Sequence, residues 1–498
     1  MRHRVAINRH TPAEHQKRTL KKLMRKAMLT EFGKQHHFAK HLEKKDFTEQ
    51  FREEVAVRNY NSMYNDWWHR SYAGESNVCW PGQVKYFALS SGTSEAASKH
   101  IPVTGDMIRA IKRTSLRQFL TLSHYELGAD IFEKRFLMLG GSTHLHRRGN
   151  YWEGDLSGIS ASKIPLWFRH FYKPGRMIAR ERNWEAKLEE IVEQAAEWDI
   201  GYIAGVPAWM QILLEKIIAH HQLKTIHDLW PNLSVYVHGG VSFEPYRKGF
   251  ESLVAKPLIY ADTYLASEGF IAFQDDPHDQ GMKLVTNNGI FFEFIPFDEK
   301  NFDHDGEMIS NPETLTIDQV EENKPYALLL STCAGAWRYL IGDVIKFTDL
   351  KKGNILISGR TKHFLSLCGE HLSVENMNRA IDLLSHELNV PIGEFTVAGI
   401  PYQNLFAHKW YVGIDAPVEP KILREKLDAH LCKLNDDYAV ERQAALKDVQ
   451  VEIIPTHYFF DWMKEHNKLG GQNKFPRVMK NHQFEEWEKF VAQHRLAG

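Results

Sequence analysis

Val84-Lys85-Tyr86-Phe87-Ala88-Leu89-Ser90-Ser91-Gly92-Thr93-Ser94 is the stretch on which the fold of this chain turns. A short apolar run of strand length stops at a cluster of hydroxyl side chains around one glycine, and Lys99 follows five residues beyond Ser94. The arrangement suits a phosphate. Gly92 lets backbone N–H groups approach an anion closely, Ser90, Ser91, Thr93 and Ser94 supply hydroxyl donors, and Lys99 supplies a positive charge. It is not a Walker A loop, because the GxxxxGK[ST] spacing is absent. Taken alone, such a Ser/Thr/Gly cluster also reads as a plain turn.

Outward from this loop the pattern is that of an α/β protein. Asp106 to Leu122 reads as a long amphipathic helix and Trp184 to Trp198 as a second, while Ile200 to Ala204 and Leu233 to His238 read as buried strands. Met282 to Pro296 reads as a hairpin closed by Asn287-Asn288-Gly289, and Tyr326 to Thr332, Val344 to Phe347 and Ile355 to Ser358 as further strands. Beyond Gly359-Arg360 the rhythm becomes strand, helix (Val374 to Leu388), two strands, helix (Glu419 to Leu434), strand. This predicts a large unit over 1–358 and a smaller one over 359–498.

Composition narrows the function classes. Lys+Arg 62 against Asp+Glu 63 leaves a net charge of −1, so no global positive field argues for nucleic acid. The basic segment 1–45, with Leu20, Leu23, Met24, Ala27 and Met28 at helical spacing, reads as a helix docked by its apolar face with its lysines in water. Four cysteines without a CxxC spacing exclude a zinc ribbon and fit a reducing cytoplasm, and the most apolar stretch, Ile200 to Leu214, is too short for a membrane span. A cytoplasmic location is expected.

Further segments follow in order: Val235-Tyr236-Val237-His238-Gly239-Gly240, then Tyr260-Ala261-Asp262-Thr263-Tyr264-Leu265-Ala266-Ser267-Glu268-Gly269, then Trp337-Arg338-Tyr339-Leu340-Ile341-Gly342-Asp343-Val344, then Ser358-Gly359-Arg360-Thr361-Lys362, and last Gly470-Gly471-Gln472-Asn473-Lys474-Phe475-Pro476-Arg477. With this set in this order the chain resembles the adenylate-forming enzymes, and among them the auxin-responsive Gretchen Hagen family of acyl-acid amido synthetases, nearly end to end.

The resemblance implies a large adenylate-forming domain of mixed sheets flanked by helices, with a small mobile α/β domain behind it. It also implies a ligase that adenylates a carboxylic acid with ATP and Mg²⁺ and passes the acyl group to an amine, usually an amino acid, releasing AMP and pyrophosphate. Ser90 to Ser94 with Lys99 would cradle the triphosphate, Glu268 would hold Mg²⁺, and Gly239, Gly240, Thr263 and Tyr264 would flank the adenine. Asp343 would accept from the ribose hydroxyls and Arg360 would reach a phosphate or ribose oxygen. Lys474 would carry a cation to the α-phosphate. Where the family often shows Gly-Glu-Lys, this chain has Gly369-Glu370-His371, so His371 would act with a pH-dependent charge. Trp167, Phe168, Phe171, Trp209 and Met210 are candidates for an acid pocket. An acyl-CoA ligase shares the first half-reaction, and a nucleotide-binding protein without turnover is the alternative outside enzymology.

Overall fold

The computed structural model describes residues 11–497 except 91–98, 126, 165–167, 241–242, 244–245, 280, 304–305, 362–363, 366, 371, 393, 467–474 and 480. The basic N-terminal segment forms the helix Pro12–Ala27, started by a capping box between Thr11 and Glu14. Leu20, Leu23, Met24 and Ala27 are buried along one stripe. Gln16 lies in the same stripe and binds it to the sheet: its amide donates to the carbonyls of Thr286 (2.7 Å) and Ile290 (3.0 Å) and accepts from the Phe292 N–H (2.6 Å).

Most of the chain wraps one mixed sheet of eleven strands. Its parallel half comprises Ile259–Ala266, Val235–Gly239, Ile200–Gly205, Arg135–Leu139 and Tyr172–Lys173, in that spatial order. From Ile259–Ala266 outward in the other direction the sheet is antiparallel: Gly269–Phe273, Met282–Leu284, Asn354–Arg360, Tyr339–Asp349, Pro325–Thr332 and Ile290–Pro296. A second sheet of four strands holds Tyr86–Ser90 between Lys99–Val103 and Tyr151–Gly154. The long helix Gly105–Thr121, capped by the Thr104 hydroxyl, follows directly.

The hairpin expected over Met282 to Pro296 is not formed. Met282–Leu284 pairs with Gly269–Phe273 and Asn354–Arg360, whereas Ile290–Pro296 lies at the sheet edge beside Pro325–Thr332. The Asn-Asn-Gly segment crosses between them instead of reversing the chain, held by the Asn288 amide, which donates to the Ala110 carbonyl and the Thr114 hydroxyl of the long helix. Two other boundaries move. The strand expected to begin at Val344 begins at Tyr339, so Asp343 sits inside it, and Asn354–Arg360 carries the chain through residues 358 and 359 before it leaves the sheet.

Beyond that strand, Val374–Leu388, Phe395–Tyr402, Leu405–Gly413, Pro420–Leu434 and Leu446–Ile454 reproduce the expected alternation around a three-stranded sheet with its own core. The helices Asp436–Ala444, His457–Glu465 and Asn481–Ala497 were not foreseen, and the last two bury Phe459, Trp462 and Trp487 on another apolar cluster. This part touches the large sheet's helix Pro207–His220 through polar bonds: the Trp209 indole N–H donates to Glu441 (3.0 Å), and the Gln211 amide to the Asn404 carbonyl (3.0 Å).

Candidate active site

In an open α/β sheet, ligands gather at the carboxyl ends of the parallel strands. Gly239 and Thr263 end up side by side there, as direct register partners on adjacent parallel strands. A Cβ on Gly239 would meet the Thr263 carbonyl oxygen at 2.3 Å, and Gly240 has φ +86°, a conformation side chains rarely adopt. Strand packing at Gly239 and the positive φ at Gly240 therefore account for both glycines without an adenine. The Thr263 hydroxyl is buried and has no hydrogen-bond partner among the described residues.

Tyr264 is buried in the main core, and its phenol donates to Asp343. Arg360 is the direct cross-strand neighbour of Asp343, with its Nε 3.1 Å from the other carboxylate oxygen. Glu268 occupies the turn between Ile259–Ala266 and Gly269–Phe273, at the seam between the parallel and antiparallel halves of the sheet, and is 6% exposed. Burial raises its carboxyl above the usual range; the Lys99 and Arg360 charges oppose this, while Asp343 adds to it. Burial, and after it the nearby Glu268 charge, push the Tyr339 phenol well above its ordinary value. On the small sheet Lys99 stands directly opposite Ser90, its ammonium 5.4 Å from the Tyr60 ring centre.

Two carboxylates and two cations from four separated segments thus act on one another. Tyr339, which sequence reasoning passed over, lies four residues before Asp343 on the same strand. Residues an even number apart share a face of a strand, so the alternation Tyr339, Ile341, Asp343 was the signal available. Of the remaining expected residues, only the backbone of Ser90 is described, and Ser91, Gly92, Thr93, Ser94, His371 and Lys474 lie outside the described residues. Arg477, three residues after Lys474 in the same segment, is tied to Glu394 and the Phe395 carbonyl. Trp209 and Met210 are buried among helix-packing residues, Trp209 stacked on Trp184 at 4.7 Å, and Trp167 lies outside the described residues.

Family models describing the GH3 family N-terminal domain (residues 3–140 and 146–258), central domain (283–355) and C-terminal domain (375–483) match along the chain. The chain belongs to the GH3 family. Among curated GH3 relatives, indole-3-acetic acid-amido synthetase GH3.10 of Arabidopsis thaliana is 29% identical over 189 residues, which is 34% of this chain and 31% of that protein. The match therefore spans about a third of that relative's length. Among solved structures, the acyl acid amido synthetase AtGH3.15 in complex with 2,4-DB is similar with a TM-score of 0.58, at 16% identity over 97% of this chain and 94% of that one. 2-Hydroxyisobutyryl-CoA ligase in complex with 2-HIB-AMP and CoA is similar with a TM-score of 0.57, at 11% identity over 97% and 92%. The GH3 chain thus has the fold of the adenylate-forming enzymes. No helix among the described residues is long and apolar enough to cross a membrane.

A second buried group, equally missed from sequence, lies where the C-terminal part meets the large sheet. Glu370 is 0% exposed, and its carboxylate accepts from the N–H groups of Leu367, Cys368 and Gly369 and from His408 Nε2 at 2.9 Å. Nearby Glu441 accepts from Trp209 at one oxygen, and its other oxygen has no partner among the described residues. Burial pushes its carboxyl up to about 8, with the Trp209 bond opposing this and the Glu370 charge reinforcing it.

Proposed function

We propose that this GH3 protein is an ATP-dependent ligase that adenylates a carboxylic acid and transfers the acyl group to an amino acid, with release of pyrophosphate and AMP. The observation that carries the reading is the convergence of Glu268, Asp343, Arg360 and Lys99 at the seam of the sheet, beside the carboxyl ends of its parallel strands. The first step brings an acid anion onto the α-phosphorus of a polyanion, so its chief demands are charge neutralisation and in-line positioning. Lys99 and the segment Ser90, Ser91, Gly92, Thr93 and Ser94 would meet the phosphates, Asp343 the ribose hydroxyls, and Arg360 would both orient Asp343 and offer charge to a phosphate or ribose oxygen. Thr263, Tyr264, Gly239 and Gly240 would border the base and ribose.

The donor set fits Mg²⁺. Glu268 is a single carboxylate whose charge is disfavoured by burial and which a cation would favour, and one carboxylate with phosphate oxygens and waters is a common Mg²⁺ environment. Held at Glu268, the ion would supply charge neutralisation to the phosphates. Lys474 and His371 complete the proposal as cations brought by the C-terminal part, which we divide from the large one just after Arg360, at the end of the last shared strand. Lys474 would face the α-phosphate during adenylation and withdraw before the amine attacks. The cytoplasm is the proposed location.

Acid-dependent exchange of labelled pyrophosphate into ATP tests the first half-reaction. Amino acids and CoA offered in parallel, with products read by mass, test the second. Failure of exchange across a broad acid panel while AMP binds would overturn the ligase reading, and a thioester product would replace the amide with an acyl-CoA.

A further inference from the structure

A cavity of about 470 Å³ opens between the small sheet and the far edge of the large one. Tyr86 and Trp152, direct partners on the small sheet, form one wall, and Tyr172 on the last strand of the large sheet lies across from them. Around this aromatic frame stand Lys163, Arg169, Arg176 and Arg180. Among the described residues no Asp or Glu lines the cavity and none of the four cations forms an ion pair. In a chain of net charge −1, four unneutralised cations around one hollow are a local arrangement and not a basic surface in general.

The placement of these charges is graded. Lys163 and Arg169 are half-buried, with the Lys163 ammonium 4.7 Å from the Tyr86 ring centre, and Arg176 and Arg180 are exposed at the mouth. The positive field is felt by a neighbour. His144, also on the lining, has its imidazolium disfavoured first by Arg182, then by desolvation and by Arg180. Tyr86 opens the strand that ends at Ser90, so the cavity lies roughly 13 Å along that strand from the phosphate loop at the usual strand rise. A triphosphate held at Ser90 does not fill it.

We propose that this cavity is a second anion site, taking a small organic ligand with an apolar or aromatic body and at least two negative charges, carried by carboxylates or by a phosphate. The body would lie against Tyr86, Trp152 and Tyr172, the charges would reach Lys163 and Arg169 inside and Arg176 and Arg180 at the rim, and guanidinium groups would grip either kind of oxyanion in pairs. A single carboxylate would leave most of the positive charge unanswered.

Calorimetric titration of the full chain at about 0.1 M salt tests this, with benzene-1,3,5-tricarboxylate and phenyl phosphate as probes and benzoate as the monoanion control. The expected result is saturable binding of at least one probe, about tenfold or more tighter than benzoate, and weakened about tenfold or more by the double variant Arg176→Glu/Arg180→Glu while AMP binding is unchanged. The tighter probe names the oxyanion. Lys163→Gln carries the same test should the double variant fail to fold. Absence of saturation up to about 10 mM, indifference to both variants, or displacement of the probe by AMP would each overturn the proposal. None of these outcomes touches pyrophosphate exchange, so the ligase reading stands or falls separately.

Discussion

Water scarcely reaches Glu268 or Glu370, yet their protons are drawn in opposite directions. Burial works to raise both carboxyls. At Glu370 the His408 bond and charge and the backbone N–H donors outweigh it and hold the group below the usual range; at Glu268 burial prevails over Lys99 and Arg360. A carboxylate whose lone pairs are already met belongs to the scaffold, and to remove it is to strand its donors. One that lacks enough counter-charge in the resting protein has capacity for a cation that arrives with the substrate. Arg338 repeats the first pattern on the central sheet, spending its guanidinium on Glu293, Thr314 and the Arg52 and Val55 carbonyls.

The contrast breaks most directly at Glu268. Glu268→Gln is expected to slow pyrophosphate exchange about 100- to 1,000-fold, the scale of a lost charge-stabilising group at about 3–4 kcal/mol, while leaving Tm unchanged or higher. A melt several degrees lower would make Glu268 a scaffold residue like its counterpart. Glu370→Gln should do the reverse, lowering stability by about 3 kcal/mol in urea because an amide N–H₂ would then face backbone donors and His408.

Glu441 sharpens the comparison through pH. Its folded carboxyl is raised from the ordinary 4.5 to about 8, so between those values the folded chain keeps a proton that the unfolded chain has lost. Stability from this group therefore falls as pH rises through that window, by on the order of 1 kcal/mol per unit, and Glu441→Gln should flatten the slope of Tm between about pH 5 and about pH 8. Glu370 has the opposite sign: its contribution is present above the ordinary carboxylate pKa and is lost as pH falls through its depressed value. An unaltered slope in Glu441→Gln would show that the glutamate is not the group titrating. The smallest effect is expected at Asp343→Asn, which keeps the shape but loses the charge on Arg360 and on a ribose; AMP affinity should drop about tenfold by calorimetry.

How much of this was legible in the chain depends on how far apart the partners lie. The strand before Ser90, the long helix behind it and the alternation after Arg360 are set by periods of two and 3.6 within one window, and they stand in the structure within a few residues of expectation. The Met282 to Pro296 hairpin failed because adjacency in sequence says nothing of a neighbour 40 or 70 residues away, and both of its strands found such neighbours. The same limit hid Glu370. Its triplet Gly369-Glu370-His371 drew the eye to the histidine, whereas the glutamate's burial is completed by His408, 38 residues on. Asp343 was singled out by its segment, but its bond with Tyr264 joins residues 79 apart.

Arg360 is the last residue of the central sheet and also the partner of Asp343. The residue that anchors the exit toward the smaller part is therefore bonded to the carboxylate proposed to meet the ribose. Thermodynamic reciprocity then applies: if swinging that part alters the grip on a nucleotide by some factor, a bound nucleotide must bias the swing by the same factor. Under the proposed reading, occupancy and posture would be two readings of one equilibrium, with the Arg360 guanidinium as the gear between them.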